Sequence, residues 1–383
     1  MRKICVVIGS RANYSSIKSA MLAIKEHPDL ELQVIAGASA ILDRYGSVVN
    51  LMEKDGFKIN SRLYMLVEGA TPATMAKSTG HGLIELPTMF ENLKPDIVLT
   101  VGDRFETMAT TLTATYMNIP LAHTMGGEIT GNIDESIRHA ITKFANIHFP
   151  ASKDAKNRII RMGEDPSTVH LVGCPRIDLV ADLIEKDKNG LGPDIFNEGV
   201  GEGFDLHECF VLISQHPVTS EYGCAEEQIH NTLKAVQRLN INTIVLWPNA
   251  DAGSDDTSRG IRKFRENEGA SKFHFFKNLP IDVYISLMRR TKCLVGNSSS
   301  AIREGAFIGT PAVNIGNRQT ARERGNNVID VSYDEQSIFN AIQKQIVNGS
   351  YKSEHIYGDG SAGKRIADVL ASCSVNIQKQ NYY

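Results

Sequence analysis

Carboxylates, arginines and a histidine in this chain gather just past short apolar runs, the placement that chemistry on an anionic ligand asks for. Val101-Gly102-Asp103-Arg104-Phe105-Glu106 closes the apolar run Asp96–Val101. Asp103 there is an acid/base candidate facing a cleft, or else the N-cap of the helix that follows. His123-Thr124-Met125-Gly126-Gly127-Glu128 leads on to Asp134-Glu135-Ser136-Ile137-Arg138. Glu128, Asp134 and Glu135 supply neighbouring carboxylates, and Arg138 can orient one of them; the two glycines permit close backbone approach to a ligand. The plainer alternative is a loop and a helix capped by Asp134. After the first apolar run, Gly9-Ser10-Arg11-Ala12-Asn13-Tyr14-Ser15 offers the planar guanidinium of Arg11 and a hydroxyl, Ser15, near a helix start, both suited to phosphate. An ordinary turn with a surface arginine fits that stretch as well.

The second half of the chain repeats the arrangement. Ser214-Gln215-His216-Pro217-Val218-Thr219 puts His216 on a stiff loop at a strand end, where it can donate to a phosphate, although a lone histidine is more often structural. Trp247-Pro248-Asn249-Ala250-Asp251-Ala252-Gly253-Ser254 follows the next strand. Gly296-Asn297-Ser298-Ser299-Ser300-Ala301-Ile302-Arg303-Glu304 opens a helix with small hydroxyl residues, a good anion site because free N–H groups and the helix dipole face the ligand. Glu304, about one turn in, can accept both hydroxyls of a ribose, and Arg318 adds a cation at the same end. Here too a capped helix plus a surface arginine is the bland alternative. Six such loops at successive strand ends argue against coincidence. The dinucleotide Gly-x-Gly-x-x-Gly and the Gly-x-x-x-x-Gly-Lys-Ser/Thr loop are absent, and His123, His139, His148 and His216 show no metal-ligand spacing.

The elements that must carry these loops are short buried strands alternating with amphipathic helices. Ile4–Ile8, Leu32–Ala36, Asp96–Val101 and Ile119–Ala122 are near-continuous apolar runs, as in parallel strands buried on both faces, and Ser15–His27, Phe105–Tyr116 and Glu135–Ala145 read as helices between them. The alternation predicts an α/β, doubly wound parallel sheet over residues 1–186. It fails over 187–207, a glycine- and charge-rich linker or excursion, and restarts over 208–360. There the strands are Phe210–Ser214, Thr243–Trp247, Lys272–Phe276, Cys293–Gly296 and Ala312–Ile315, and the helices Glu226–Leu239, Ile281–Arg290 and Ser300–Ile308. The C-terminal stretch 361–383 carries a last helix, Lys364–Ala371, expected to join the first domain. Two such domains facing each other would place the carboxyl ends of both sheets around one cleft, the usual ligand site of open α/β sheets.

Composition bounds the partners. The 383 residues suit two domains, with 42% hydrophobic and 22% charged residues. Lys and Arg total 41 against 44 Asp and Glu, so there is no basic excess for nucleic acid, and an anionic substrate must be held by a few local cations. No apolar run reaches the roughly 20 residues of a membrane span. The start runs from Met1-Arg2-Lys3 straight into a short strand, unlike a signal peptide. Six scattered cysteines without a Cys-x-x-Cys pair read as reduced core thiols, and the expectation is a soluble cytoplasmic protein.

Taken together, Gly102-Asp103-Arg104-Phe105, Gly127-Glu128 with Asp134–Lys143, Gln215–Thr219, Pro248–Ser254 and Gly296–Ser299 resemble the hydrolysing UDP-N-acetylglucosamine 2-epimerases of sialic-acid-type and legionaminic-acid-type sugar biosynthesis. The resemblance runs over nearly the whole chain. It implies a GT-B-like architecture, two Rossmann-like domains with the active site in the interdomain cleft, and a homodimer or homotetramer. It implies a catalytic group of Asp103, Glu128, Asp134, Arg138 and His216. UDP and sugar would be bound by Arg11, Ser15, Arg104, His216, Asn249, Leu279, Ser298, Ser299, Glu304 and Arg318, with Leu279 offering backbone to uracil. The implied reaction converts UDP-N-acetylglucosamine to N-acetylmannosamine and UDP through a 2-acetamidoglucal, with no metal or other cofactor. UDP-N,N′-diacetylbacillosamine is the alternative substrate. A GT-B glycosyltransferase, a non-hydrolysing epimerase and a non-catalytic sugar-nucleotide sensor are further alternatives. Two positions depart from some relatives: Met125 stands where an acidic residue follows the motif histidine, and Asn13 replaces an aspartate. Any role of the first carboxylate therefore shifts to Asp103, Glu128 and Asp134.

Overall fold

In a computed structural model the protein is described throughout except at residues 44–45, 69–70, 131–132, 187–192, 219–220, 222, 249–253, 268, 278 and 383. Two compact units result, Met1–Leu179 with Tyr357–Tyr383, and Val180–Ile356.

The first unit holds β1 (Arg2–Ile8), β2 (Leu30–Gly37), β3 (Ser61–Leu63), β4 (Ile97–Val101), β5 (Leu121–Thr124) and β6 (Ile147–Phe149), in the order β3-β2-β1-β4-β5-β6. Its helices are α1 (Arg11–Glu26), α2 (Val48–Lys54), α3 (Pro72–Leu93), α4 (Phe105–Tyr116), α5 (Ile133–Phe144), α6 (Lys153–Arg161) and the start of α7 (Pro175–Lys186). The second unit repeats the order, β12-β11-β10-β7-β8-β9, from β7 (Phe210–Ser214), β8 (Asn242–Leu246), β9 (Phe273–Phe276), β10 (Cys293–Gly296), β11 (Ala312–Ile315) and β12 (Val328–Val331). It adds α8 (Ala225–Gln237), α9 (Ser254–Asn267), α10 (Ile281–Arg290), α11 (Arg303–Ile308) and α12 (Glu335–Asn348); α13 (Ala362–Ser372) belongs to the first unit. All strand pairs of both sheets are parallel. This is the doubly wound α/β class that the alternation predicts, met twice.

Both faces of each sheet are covered, which is why the strands read as unbroken apolar runs. Along β1, Ile4, Val6 and Ile8 join a core with Ile17, Met21 and Ile24 of α1, while Cys5 joins Val98, Leu86 and Phe90 on the opposite face. Burying one such side chain fully is worth about 1.5–3 kcal/mol. The second sheet divides likewise: Val211 and Ile213 pack with Ile229 and Leu233 of α8, and Phe210 and Leu212 with Leu287 and Met288 of α10. Strands β3 and β6 escape the sequence reading because each has only three residues, and β12 because it is only partly buried and presents the exposed Asp330.

Two stretches differ from the sequence expectation. The chain divides within α7, and the described part of the expected linker, 193–207, packs on the second unit. Phe196 lies 4.8 Å from Phe204 and 4.9 Å from His274, ring to ring, and Val200 exchanges backbone hydrogen bonds with Phe275. Its aromatic residues supply apolar surface that the glycines around them conceal. The single helix expected over Ser300–Ile308 is a 3₁₀ turn, Ser299–Ala301, followed by α11, because Asn327 draws the Ala301 carbonyl into its own hydrogen bond at 3.0 Å.

The C-terminal helix α13 lies against α1. Asp178 accepts from the backbone N–H groups of Ala362 (2.9 Å) and Gly363 (2.6 Å) and from the Ser19 hydroxyl (2.9 Å). Gly363 permits the approach, since a Cβ there would sit 2.6 Å from the Ser19 carbonyl carbon. We expect Gly363→Leu to lower stability by about 1–3 kcal/mol through overpacking. Urea unfolding checks this; an unchanged midpoint would mean the two helices do not touch as described.

Candidate functional site

Each unit gathers its candidate residues past the carboxyl ends of its strands. In the first unit the turn after β4 is held residue by residue. The Val101 carbonyl accepts from Asn13 Nδ2 (3.4 Å) and Thr107 Oγ1 (3.2 Å). Gly102, at φ +72°, donates its N–H to the Thr124 carbonyl (3.2 Å), and its own carbonyl pairs with His123 Nε2 at 2.8 Å. Asp103 forms an ion pair with Arg138 of α5. Arg104 donates Nε–H to Glu106 at 2.8 Å, and Glu106 lies so close beneath the first loop that a Cβ on Gly9 would meet its Cγ at 2.3 Å.

These contacts decide between the alternatives left open by the sequence. The residue at the N-cap of α4 is Arg104, so Asp103 pairs with Arg138 instead of capping the helix. Helix α5 starts at Ile133, so Asp134 stands in its first turn and is no cap. Arg138 is only 3% exposed and also donates to the Glu128 carbonyl at 2.7 Å, which brings Asp103, Arg138 and the Glu128 backbone together. The Glu128 side chain is buried, and Asp134 is half-buried.

The glycine pair serves packing. A Cβ on Gly127 would lie 2.4 Å from the Ala155 carbonyl oxygen, and one on Gly126 would lie 2.9 Å from both His123 Nδ1 and Thr142 Oγ1. Between β5 and that pair, Met125 adopts φ +61° while packing against the apolar core. His123 itself is fully buried, and burial pushes its imidazole down to about 3, so it is neutral at pH 7. A carbonyl can only accept, so Nε2 carries the proton toward Gly102, and Nδ1 accepts from Thr142 Oγ1 at 3.3 Å. His123 therefore ties the Asp103 turn to α5, the helix of Arg138.

At the first loop, Ser10 caps α1 by accepting the Asn13 N–H at 3.2 Å. Arg11 is exposed in the first turn, and Ser15 accepts from Arg176 Nη1 at 3.3 Å. Asn13, Glu106, His123 and Arg176 are thus part of the arrangement although the sequence reading assigned them no role. Glu106 lies within the Gly-Asp-Arg-Phe-Glu run, but nothing local shows which loop it would underpin.

In the second unit, His216 lies after β7. Burial, with the nearby positive charge of Arg318, pushes its imidazole down to about 3, so it is neutral at pH 7. Asn297, after β10, accepts the His216 N–H at 2.7 Å and donates to the His216 carbonyl at 2.8 Å. The Asn297 carbonyl in turn accepts from Arg318 Nη1 (3.1 Å) and Gln319 Nε2 (2.9 Å). Ser298 caps the 3₁₀ turn and shares a hydrogen bond of 2.8 Å with Ser300, whose hydroxyl lies 2.6 Å from that of Tyr284. Ser298 and Ser299 are half-buried, and Glu304 is buried in the first turn of α11. The helix break noted above means that the serines open a 3₁₀ turn and not the continuous helix expected. Leu279 is partly buried against the core just before α10. Asn249 lies outside the described residues.

A family profile described as UDP-N-acetylglucosamine 2-epimerase matches residues 22–371. The chain belongs to that family. Among relatives, a UDP-N,N′-diacetylbacillosamine 2-epimerase (hydrolyzing) of Legionella pneumophila is 32% identical over 381 residues, covering 100% of this chain and 98% of the relative. A UDP-N-acetylglucosamine 2-epimerase of Neisseria meningitidis is 28% identical over 387 residues, covering 99% and 98%. A solved structure, the UDP-GlcNAc 2-epimerase from Neisseria meningitidis bound to UDP-GlcNAc, superposes with TM-score 0.81 at 19% identity, covering 96% of this chain and 99% of that one. The fold of this epimerase is accordingly GT-B-like. No described helix is long and apolar enough to cross a membrane.

The two buried histidines have a consequence for stability. His123 and His216 ionise near 3 in the folded chain against an ordinary 6.5, so between those limits the unfolded chain binds protons that the folded chain refuses. Their contribution to stability is complete above about pH 6.5 and drains as pH falls toward 3. NMR titration should show both imidazoles unchanged between pH 5 and 8 while the urea midpoint drops over the acid side. A His216 resonance moving through a midpoint near 6.5 would contradict this environment.

Proposed function

We propose that this family member is a hydrolysing 2-epimerase that converts UDP-N-acetylglucosamine to N-acetylmannosamine and UDP, with the sugar against the first unit and UDP on the second. The observation that carries the proposal is the pairing of Asp103 with buried Arg138 at the end of β4, a carboxylate aimed by a fixed cation.

The C2–H of the sugar is not acidified by a carbonyl, so its loss must be driven by departure of UDP. Asp103 takes the C2 proton, the C1–O bond breaks with its electron pair going to the β-phosphate oxygen, and a C1–C2 double bond forms. Water then adds its oxygen to C1 and a proton to the opposite face of C2, which inverts that centre. Glu128 and Asp134 are assigned to this hydration and to tolerating positive charge at C1. Arg11, Arg104, Arg318, Ser298 and Ser299 stabilise the leaving diphosphate, with His216 as a donor beside it. Ser15, Asn249, Leu279 and Glu304 complete the nucleotide and sugar contacts. The scheme uses no metal or nicotinamide, because the leaving group supplies the driving force. Hydrolysing relatives such as that of Legionella pneumophila support release of a free sugar. The same relative supports UDP-N,N′-diacetylbacillosamine as a second substrate reading, since the two sugars differ only at C4 and C6 and share all the bonds that react.

Asp103→Asn should lose about a hundredfold or more in turnover while still binding UDP, in line with the usual contribution of a positioned base. Steady-state kinetics beside UDP calorimetry test it, and near-normal turnover would remove Asp103 from the scheme. In heavy water, the free sugar released from either UDP-sugar alone should carry deuterium at C2. Its absence would exclude the elimination. An obligatory acceptor would point to a glycosyltransferase, UDP-linked product to a non-hydrolysing epimerase, and binding without turnover to a sensor.

A further inference from the structure

Where β7 and β10 end side by side, one amide side chain holds the whole corner. Asn297 is 1% exposed, and both ends of its amide are spent on the same peptide: Oδ1 accepts the His216 N–H at 2.7 Å, and Nδ2 donates to the His216 carbonyl at 2.8 Å. The approach depends on Gly296, at φ +133°, where a Cβ would stand 2.2 Å from the Ser214 carbonyl oxygen. The backbone N–H of Asn297 donates to that same carbonyl at 3.2 Å. Its backbone carbonyl then takes two side-chain donors from the loop after β11, Arg318 Nη1 at 3.1 Å and Gln319 Nε2 at 2.9 Å. The backbone N–H, the backbone carbonyl and both ends of the side-chain amide of Asn297 each have a partner, and the two residues it holds are the imidazole and the guanidinium assigned to the diphosphate.

We propose that Asn297 is the positioning residue of the diphosphate site, setting His216 through its side-chain amide and Arg318 through its backbone carbonyl. The proposal rests on the reading that this unit binds UDP. A donor and an acceptor must face the His216 peptide at once, and asparagine is the shortest side chain that supplies both in one plane. Aspartate has the same size but would set a second acceptor against the His216 carbonyl, and alanine would leave both peptide groups without the partner they have now.

The test compares UDP binding by calorimetry for the wild-type chain, Asn297→Asp and Asn297→Ala, with thermal unfolding and the ³¹P spectrum of bound UDP recorded on each. We expect UDP affinity at pH 8 to fall at least tenfold in both variants while the folded fraction at the assay temperature stays near that of wild type. The β-phosphate resonance of UDP bound to the variants should move toward that of free UDP. Folded variants that bind UDP within twofold of wild type, with the same ³¹P shift, would overturn the proposal, even if their unfolding midpoints dropped, because Asn297 would then serve folding alone. Should the wild-type chain itself fail to bind UDP, the functional reading falls and the positioning role with it, an outcome visible before any variant is examined.

Discussion

A parallel strand buried on both faces can offer a ligand nothing along its length. The side chains of β1, β4, β7 and β10 alternate into two apolar cores and are almost wholly excluded from solvent. Polar chemistry is therefore displaced to the turns past the carboxyl ends, and both units obey the constraint. Asp103 and Arg104 follow β4, Glu128 follows β5, His216 follows β7, and Ser298 and Ser299 follow β10. The doubly wound order sets β1 beside β4 and β7 beside β10, so the loops where the winding reverses lie next to each other in each sheet.

A turn is softer than a strand, and the protein compensates by the same device in both units. A side chain at the end of one strand reaches across to the backbone past the end of its neighbour. His123, on β5, holds the Gly102 carbonyl after β4; Asn297, after β10, holds the His216 peptide after β7. Both tethers are buried and neutral, and losing either would leave a buried backbone group unpaired at about 1–3 kcal/mol. On these fixed turns the charged groups are placed in pairs, Asp103 with Arg138 and Arg104 with Glu106. Arg138 is buried with its partner only partly exposed, a pairing whose disruption leaves an uncompensated cation.

Much of this was legible in the residues. The apolar runs and helical spacings marked nine of the strands and six of the helices to within about four positions, among them Phe210–Ser214 and Ile281–Arg290, because burial leaves a regular pattern. The motif of Gly102-Asp103-Arg104 and the carboxylates after β5 pointed to turns that the structure brings together through the Asp103–Arg138 pair. The edge strands β3, β6 and β12 were not legible, since three residues carry too little periodicity in β3 and β6 and β12 is only partly buried. Nor was the purpose of Gly126 and Gly127: a glycine's lack of a side chain looks the same whether a ligand or the Ala155 carbonyl fills the space.

The sequence by itself determined the fold class, the family and the turns where polar side chains gather, because these depend on local pattern and on residue types at short spacing. Only the tertiary structure decided what each polar side chain does there. Whether Asp103 caps a helix or pairs with Arg138, what His123 tethers, and why Asn297 rather than another small residue follows β10 all turn on contacts between residues 19 to 81 positions apart. Hydrogen bonds of that span have no periodicity and no signature within a motif; they exist only once the sheet has set its strand ends side by side.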